Sequence, residues 1–180
     1  MNRPAPGETL YLQPGDVRFG DCHNRLVTLL GSCVSLVFWH PRERLGGMCH
    51  YLLPSRQDRR AAGQRLDGRY GDEAIALLLQ LIAGSGTRPA DYRVHLYGGG
   101  DMFPDLNSRK IGHANVALAR QLIQTYGLNC VASHVRGVGH RHLHFDIQTG
   151  RITLKRGHHS LALSETDSLP PPELPCLPSK

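Results

Sequence analysis

The sequence lacks a long hydrophobic run. No stretch of about eighteen consecutive apolar residues occurs in its 180 residues, which argues against a transmembrane helix. The first fourteen residues also lack an apolar core of the signal-peptide type. Five cysteines at irregular spacing leave at least one unpaired in any disulfide scheme. These features together predict reduced thiols in a cytoplasmic protein.

Aromatic residues are scarce, at 6% of the chain, although the formal net charge is +6. Arginines cluster between residues 56 and 69, but no aromatic residue lies between Arg56 and Arg65. A site for single-stranded nucleic acid needs such rings for base stacking, so we expect no nucleic-acid partner. The charge fits a solubilising surface and also allows an acidic protein partner. The glycine run at 98–100 lacks the Lys-Ser/Thr of a phosphate loop.

Two short apolar runs flank a turn that carries a thiol. Residues 26–30 and 34–39 predict buried strands, separated by Gly31, Ser32 and Cys33. A third apolar strand is expected over 46–54, with His50 inside it. A thiol at a tight turn and an imidazole on a nearby strand are the groups that a cysteine nucleophile needs. The thiolate is the reactive form, and a paired imidazolium lowers the thiol pKa.

The other elements are short strands and two helices. We expect a first strand over 10–17, a helix capped by Asp72 and running to about Ala83, a half-buried strand over 92–97, a second helix over 113–126 and a closing hairpin with its turn at 148–150. The first helix is apolar nearly all round, which predicts deep burial. Many short strands with two helices predict an α+β layered sandwich.

Seven blocks of the sequence, in register, resemble the CheD family, the chemoreceptor glutamine deamidases of bacterial chemotaxis. The blocks are 11–17, 28–33, 46–54, 69–72, 97–103, 110–116 and 145–151. This resemblance implies a three-layer α/β/β sandwich of mixed short strands, with the two main helices on one side. It places the CheD-like domain at residues 9–160. Composition predicts a flexible arm over 1–8 and a disordered, Pro-rich tail over 164–180.

The resemblance also assigns roles to residues of the turn and its neighbours. It implies that Cys33 is the nucleophile, that His50 is the general base and that Thr28 orients the imidazole. Gly31 and Ser32 would form the oxyanion or substrate-binding part of the turn, with the N–H groups of Ser32 and Cys33 as candidate donors.

The implied reaction is deamidation of receptor glutamines. The thiolate attacks the side-chain amide, ammonia leaves, and water releases glutamate from a thioester. The implied partners are methyl-accepting chemotaxis proteins and a CheC-type phosphatase. We expect no metal, no other cofactor and no membrane insertion.

Two alternatives stay open from the sequence. The chain is a non-catalytic docking module for receptors or a CheC-type phosphatase, or it carries a zinc site on a histidine-rich strand. His140, His142 and His144 project from one face of that strand, opposite Leu143 and Phe145. Residues two apart on a strand can share a zinc ion, but no nearby thiol or carboxylate completes a ligand pattern. The plain interpretation is an exposed polar face.

Overall fold

The computed structural model describes residues 7–58, 63–101 and 108–157. The strands are β1 (Thr9–Leu12), β2 (Val17–Gly20), β3 (Arg25–Leu30), β4 (Val34–His40), β5 (Leu45–Cys49), β6 (Arg93–Gly98), β7 (Cys130–Val135), β8 (His140–Asp146) and β9 (Ile152–Gly157). The helices are α1 (Gly71–Gly84) and α2 (Ser108–Thr125), with a 3-10 turn at Pro89–Asp91. The expected arm falls partly, and the expected tail wholly, outside the described residues.

The strands form two mixed sheets. The first has the order β1-β3-β8-β9 and the second the order β2-β5-β4-β6-β7. The pairs β1–β3 and β6–β7 are parallel, and the other pairs are antiparallel. The mixed sheets of short strands confirm the α+β class expected from the sequence.

Strand β4 shows how the layers stack, because it is buried on both faces. Val34, Leu36 and Phe38 join the core formed with both helices, whereas Val37 joins a second core between the two sheets. The alternation follows from the two-residue period of a strand. The five-stranded sheet is therefore the middle layer, and the molecule is the three-layer α/β/β sandwich that the resemblance implied.

The segment 10–17 is two strands instead of the single strand expected. Strand β1 pairs with β3, and β2 pairs with β5 in the other sheet. Between them the chain turns with a hydrogen bond of 2.9 Å from the Asp16 N–H to the Gln13 carbonyl, and Gly15 has a φ of 94°. That positive φ favours glycine, which explains the sharp change of direction. At this turn the chain passes from the four-stranded sheet to the five-stranded sheet.

Helix α1 differs from its prediction at its start and in its burial. Tyr70 is the N-cap and makes no side-chain cap bond, whereas the Asp72 carboxylate accepts the Glu73 N–H at 2.9 Å. Asp72 is thus in the first turn, where an acidic side chain favours the helix dipole. Only one face of α1 is fully buried. Leu77 and Leu81 lie on the other side, where they line an open cavity.

The segment 55–68 contains no helix or strand at its described residues, 55–58 and 63–68. Its two ends are held by one buried carboxylate, that of Glu73, which is 7% exposed. Arg56 donates to it from Nε at 2.5 Å and Nη2 at 3.1 Å, and the Asp67 N–H donates at 2.7 Å. The loop is thereby anchored on the first turn of α1.

The second half of the chain contains the predicted helix and hairpin, and also β7, which the sequence did not predict. Helix α2 begins earlier than expected, at Ser108, and ends as expected before Gly127, which has a φ of 59°. Strands β8 and β9 form the closing hairpin, with Leu143 and Phe145 fully buried between the sheets. The strand over 92–97 is buried on both faces at its end, because Tyr97 packs in the sheet–sheet core.

Among the described helices, none combines the length and apolar character needed to cross a bilayer.

Candidate active site

Cys33 lies in the turn between β3 and β4, as the sequence predicted. The next residue, Val34, forms an antiparallel bridge with Tyr51 through backbone bonds of 3.1 and 3.0 Å. Val34 packs toward the helices, and side chains alternate along extended backbone. The Cys33 side chain accordingly packs against the core between the two sheets, and it is partly exposed.

His50 directly follows β5 instead of lying inside it, because that strand ends at Cys49. Its backbone is fixed by the turn that precedes β2. The His50 N–H donates to the Asp16 carbonyl at 2.9 Å, and the His50 carbonyl accepts the Gly15 N–H at 2.7 Å. The side chain is 2% exposed. The imidazole is therefore a buried group on a rigid segment.

One bridge sets the relation between the thiol and the imidazole. Since Val34 is opposite Tyr51, the antiparallel register places His50 opposite Ser35 and diagonal to Cys33. Diagonal neighbours on one sheet face are within reach of long side chains. The structure thus places Cys33 and His50 on the same face of the middle sheet.

Thr28, on the facing sheet, contacts the imidazole directly. Its Oγ1 lies 2.7 Å from His50 Nδ1 and donates to the Leu12 carbonyl at 2.9 Å. A carbonyl only accepts, so the single hydroxyl hydrogen is used on Leu12, and the Thr28 oxygen must accept from Nδ1–H. We assign this tautomer to His50 from the bonding pattern. Its Nε2 then carries the lone pair, and this buried atom has no hydrogen-bond partner among the described residues.

The electrostatics of the pair differ from the sequence-based expectation. Burial raises the pKa of the Cys33 thiol above its ordinary value of 9.0, opposed only by its own backbone N–H. Burial also lowers the pKa of His50 from 6.5 to about 4, partly offset by the Leu12 carbonyl and the Asp16 carboxylate. The expectation that a paired imidazolium lowers the thiol pKa is wrong for this structure. Both groups are neutral at pH 7.

Glycines hold the backbone of the turn at residues 31–33. The Gly99 N–H donates to the Cys33 carbonyl at 2.8 Å, and the Gly100 N–H donates to the Gly31 carbonyl at 2.8 Å. Gly98 and Gly99 have φ values of 110° and 65°. A Cβ at Gly98 would collide with the Cys33 carbonyl, so both conformation and space require glycine there. The run at 98–100 is a support for the turn.

Helix α2 supplies a second support, through Asn115. This side chain is fully buried, and its Nδ2 donates to the Ser32 carbonyl at 3.2 Å and to the Leu52 carbonyl at 2.7 Å. One amide therefore joins the turn before Cys33 to the segment after His50. No local signal in the sequence indicates this role, because both partners are more than sixty residues away along the chain.

A cavity of about 970 Å³ lies elsewhere, between α1, β2 and the loop at 64–68. Thr28, Cys33 and His50 do not line it. The candidate site combines a buried imidazole with a partly exposed thiol.

The histidine-rich strand does not gather metal ligands. His142 and His144 are exposed on β8, and His140 is half-buried. Within residues 7–58, 63–101 and 108–157, the group of three potential ligands lies in the turn before β3 and comprises Asp21, Cys22 and His23, with ligand atoms within 4.8 Å of one another. The geometry therefore gives no support to a zinc site on β8.

Comparisons with known proteins indicate a family. A family model described as CheD chemotactic sensory transduction matches residues 52–156. A protein of Dechloromonas aromatica strain RCB, named as a probable chemoreceptor glutamine deamidase CheD 3, is 47% identical over 154 residues, which are 83% of this chain and 89% of that protein.

Two further relatives carry the same kind of name, probable chemoreceptor glutamine deamidase CheD. The protein of Pseudomonas fluorescens strain SBW25 is 40% identical over 172 residues, covering 93% of this chain and 94% of its own. That of Geobacter sulfurreducens, named CheD 2, is 37% identical over 161 residues, covering 88% of this chain and 94% of its own. A family model that matches more than half of the chain, together with these identities over nearly the whole of it, shows that the chain belongs to the CheD family.

Proposed function

We propose that this protein deamidates glutamine side chains of chemoreceptors, with Cys33 as nucleophile and His50 as general base. The observation that carries the proposal is the bonding of Thr28 to His50, since it leaves Nε2 of a neutral imidazole without a partner on the face that also carries Cys33. The relatives named as chemoreceptor glutamine deamidases supply the substrate class.

The first half-reaction transfers the acyl group of the glutamine side chain to sulfur. Because both groups are neutral at rest, the Cys33 proton moves to His50 Nε2 as the sulfur attacks the amide carbon. The carbonyl oxygen gains the negative charge and accepts hydrogen bonds from the backbone N–H groups of Ser32 and Cys33. The imidazolium then protonates the leaving nitrogen, so that ammonia departs and a thioester remains.

The second half-reaction returns the enzyme to its resting state. Neutral His50 takes a proton from water, the hydroxide oxygen attacks the thioester carbon, and the regenerated Cys33 sulfur takes the proton back from the imidazolium. The products are a glutamate side chain and the free thiol. Throughout the cycle Thr28 accepts Nδ1–H, which keeps the ring oriented and favours the imidazolium when it forms.

The proposal includes a cytoplasmic location. Of the described cysteines, Cys22, Cys33 and Cys49 are free thiols, whereas Cys130 is disulfide-bonded, so the expectation of reduced thiols throughout is wrong. The proposed location rests instead on the relatives named as chemoreceptor glutamine deamidases. A CheC-type phosphatase remains a predicted partner. A docking module remains the alternative function.

The deciding experiment measures ammonia release from a purified cytoplasmic fragment of a methyl-accepting chemotaxis protein. Cys33→Ala should abolish ammonia release and the accompanying change of glutamine to glutamate in the fragment's mass spectrum. Cys22→Ala is the matched control, because it removes another free thiol that lies in the turn before β3. Undiminished release by Cys33→Ala would refute the proposal. Full rescue of chemotaxis by that variant in cells would favour the docking module.

A further inference from the structure

Asn115 contacts both halves of the proposed site without belonging to the triad. Its Nδ2 reaches the Ser32 carbonyl, one residue before the nucleophile, and the Leu52 carbonyl, two residues after the base. The side chain is completely buried. A buried amide that spends both donors on two separate backbone segments fixes those segments relative to each other.

The bond to Ser32 also determines where the next N–H group points. The peptide between Ser32 and Cys33 is planar and trans, so its C=O and N–H point in opposite directions. Asn115 draws the C=O toward α2 and so turns the Cys33 N–H away from that helix. Among the described residues, this N–H has no carbonyl acceptor, and the group it meets is its own sulfur.

A donor beside the attacking sulfur is well placed for an oxyanion. The oxygen that becomes negatively charged is bonded to the carbon that the sulfur attacks, so it lies within reach of an N–H on the same residue. Helix α2 supports this arrangement at a second point. Gly112 packs against Gly99, whose N–H holds the Cys33 carbonyl, and the Tyr51 hydroxyl donates to the Asn115 carbonyl at 2.7 Å.

We propose that Asn115 is a positioning residue that aims the Cys33 N–H at the oxyanion and ties the nucleophile turn to the segment of His50. The inference rests on the proposed function and adds to it the group that keeps the oxyanion donor in place. Removal of one preorganised oxyanion donor in enzymes of this type lowers kcat by about 10²–10³-fold. Loss of the tether should therefore act on kcat and leave KM nearly unchanged.

The test compares the isosteric variants Asn115→Asp and Asn24→Asp in the full chain. Asn24 is also buried, at 1% exposure, and its Oδ1 accepts the Asp21 N–H, a role that aspartate retains. Asn115→Asp keeps at most one of the two bonds, because a carboxylate has no donor and a carboxylic acid has one, so we expect kcat for ammonia release to fall about 10²-fold, with KM within about threefold of wild type. Asn24→Asp should keep its kcat. Asn115→Ala, which introduces no buried charge, should show the same loss of kcat.

Alkylation by iodoacetamide gives a second measurement that does not need the substrate. A loosened turn should make Cys33 react several-fold faster in both Asn115 variants, whereas Cys49, fully buried in the helix-side core, should stay protected. A kcat near wild type, or a parallel rise in Cys33 and Cys49 alkylation, would overturn the inference. If wild-type protein released no ammonia, the proposed function would fail, and the selective alkylation of Cys33 would then decide the positioning role.

Discussion

The bond between Thr28 and His50 can be tested by exchanging threonine for valine, which keeps the shape and removes the hydroxyl. The change removes the hydroxyl that bonds two groups, the Leu12 carbonyl and the Nδ1–H of His50. Loss of a buried hydrogen-bond partner costs about 1–3 kcal/mol for each group, so Thr28→Val should lower the free energy of unfolding by about 2–6 kcal/mol. Thr28→Ser keeps the hydroxyl and loses one methyl group, which should cost about 1 kcal/mol.

The activities of the same two variants test the tautomer. Without an acceptor at Nδ1, the imidazole no longer favours the form with its lone pair on Nε2, and general-base catalysis is worth about 10²–10⁴-fold. We expect kcat for ammonia release to fall at least about 10²-fold in Thr28→Val and to stay within about fivefold of wild type in Thr28→Ser. Urea unfolding measures the free energies of unfolding of the wild-type protein and both variants. A valine variant with wild-type kcat, or a serine variant as inactive as the valine variant, would refute the assignment.

Three further predictions follow from the neutral Cys33–His50 pair. The acid limb of kcat/KM should have its midpoint near the lowered pKa of His50, about 4, and not near 6.5. Because the pKa of His50 is lower in the folded protein, the lowered pKa contributes about 3 kcal/mol to the free energy of unfolding above pH 6.5, and this contribution is lost as the pH falls through the folded value of about 4. A His50→Gln variant should lack this part of the dependence of the free energy of unfolding on pH. An equal dependence in both proteins would contradict the prediction. Alkylation of Cys33 in the wild-type protein should rise with pH to a midpoint above 9.0, because burial raises the thiol pKa. A midpoint below neutral pH would instead indicate a thiolate–imidazolium pair.

Local pattern was enough for much of the fold. The apolar runs around Cys33, the helical spacing of α2 with its stop at Gly127, and the hairpin with Leu143 and Phe145 were all predictable, because each depends on residues close in sequence. The nucleophile turn was found in the same way. His50 required a family resemblance, since a lone histidine in an apolar segment is ordinarily a packing residue.

The features that the sequence did not reveal depend on tertiary contacts. The start of α1 was misplaced because Asp72 resembles a cap, whereas Tyr70 holds that position. The direction of the Cys33 pKa shift follows from burial, which outweighs the attraction expected from a charged partner. The double contact of Asn115 is invisible in a helix whose pattern indicates only an apolar stripe.

The anchoring of segment 55–68 has a consequence for the evolution and engineering of this protein. Glu73 binds Arg56 at one end of the loop and the Asp67 N–H at the other, so the ends of the loop stay anchored whatever the number of residues between them. Doubling the length of such a loop costs only about 0.6 kcal/mol of closure entropy. Gly63 is exposed, with open space around it. An epitope or fluorescent tag inserted there should leave both the sandwich and its chemistry in place, and natural relatives are free to vary in length at the same point.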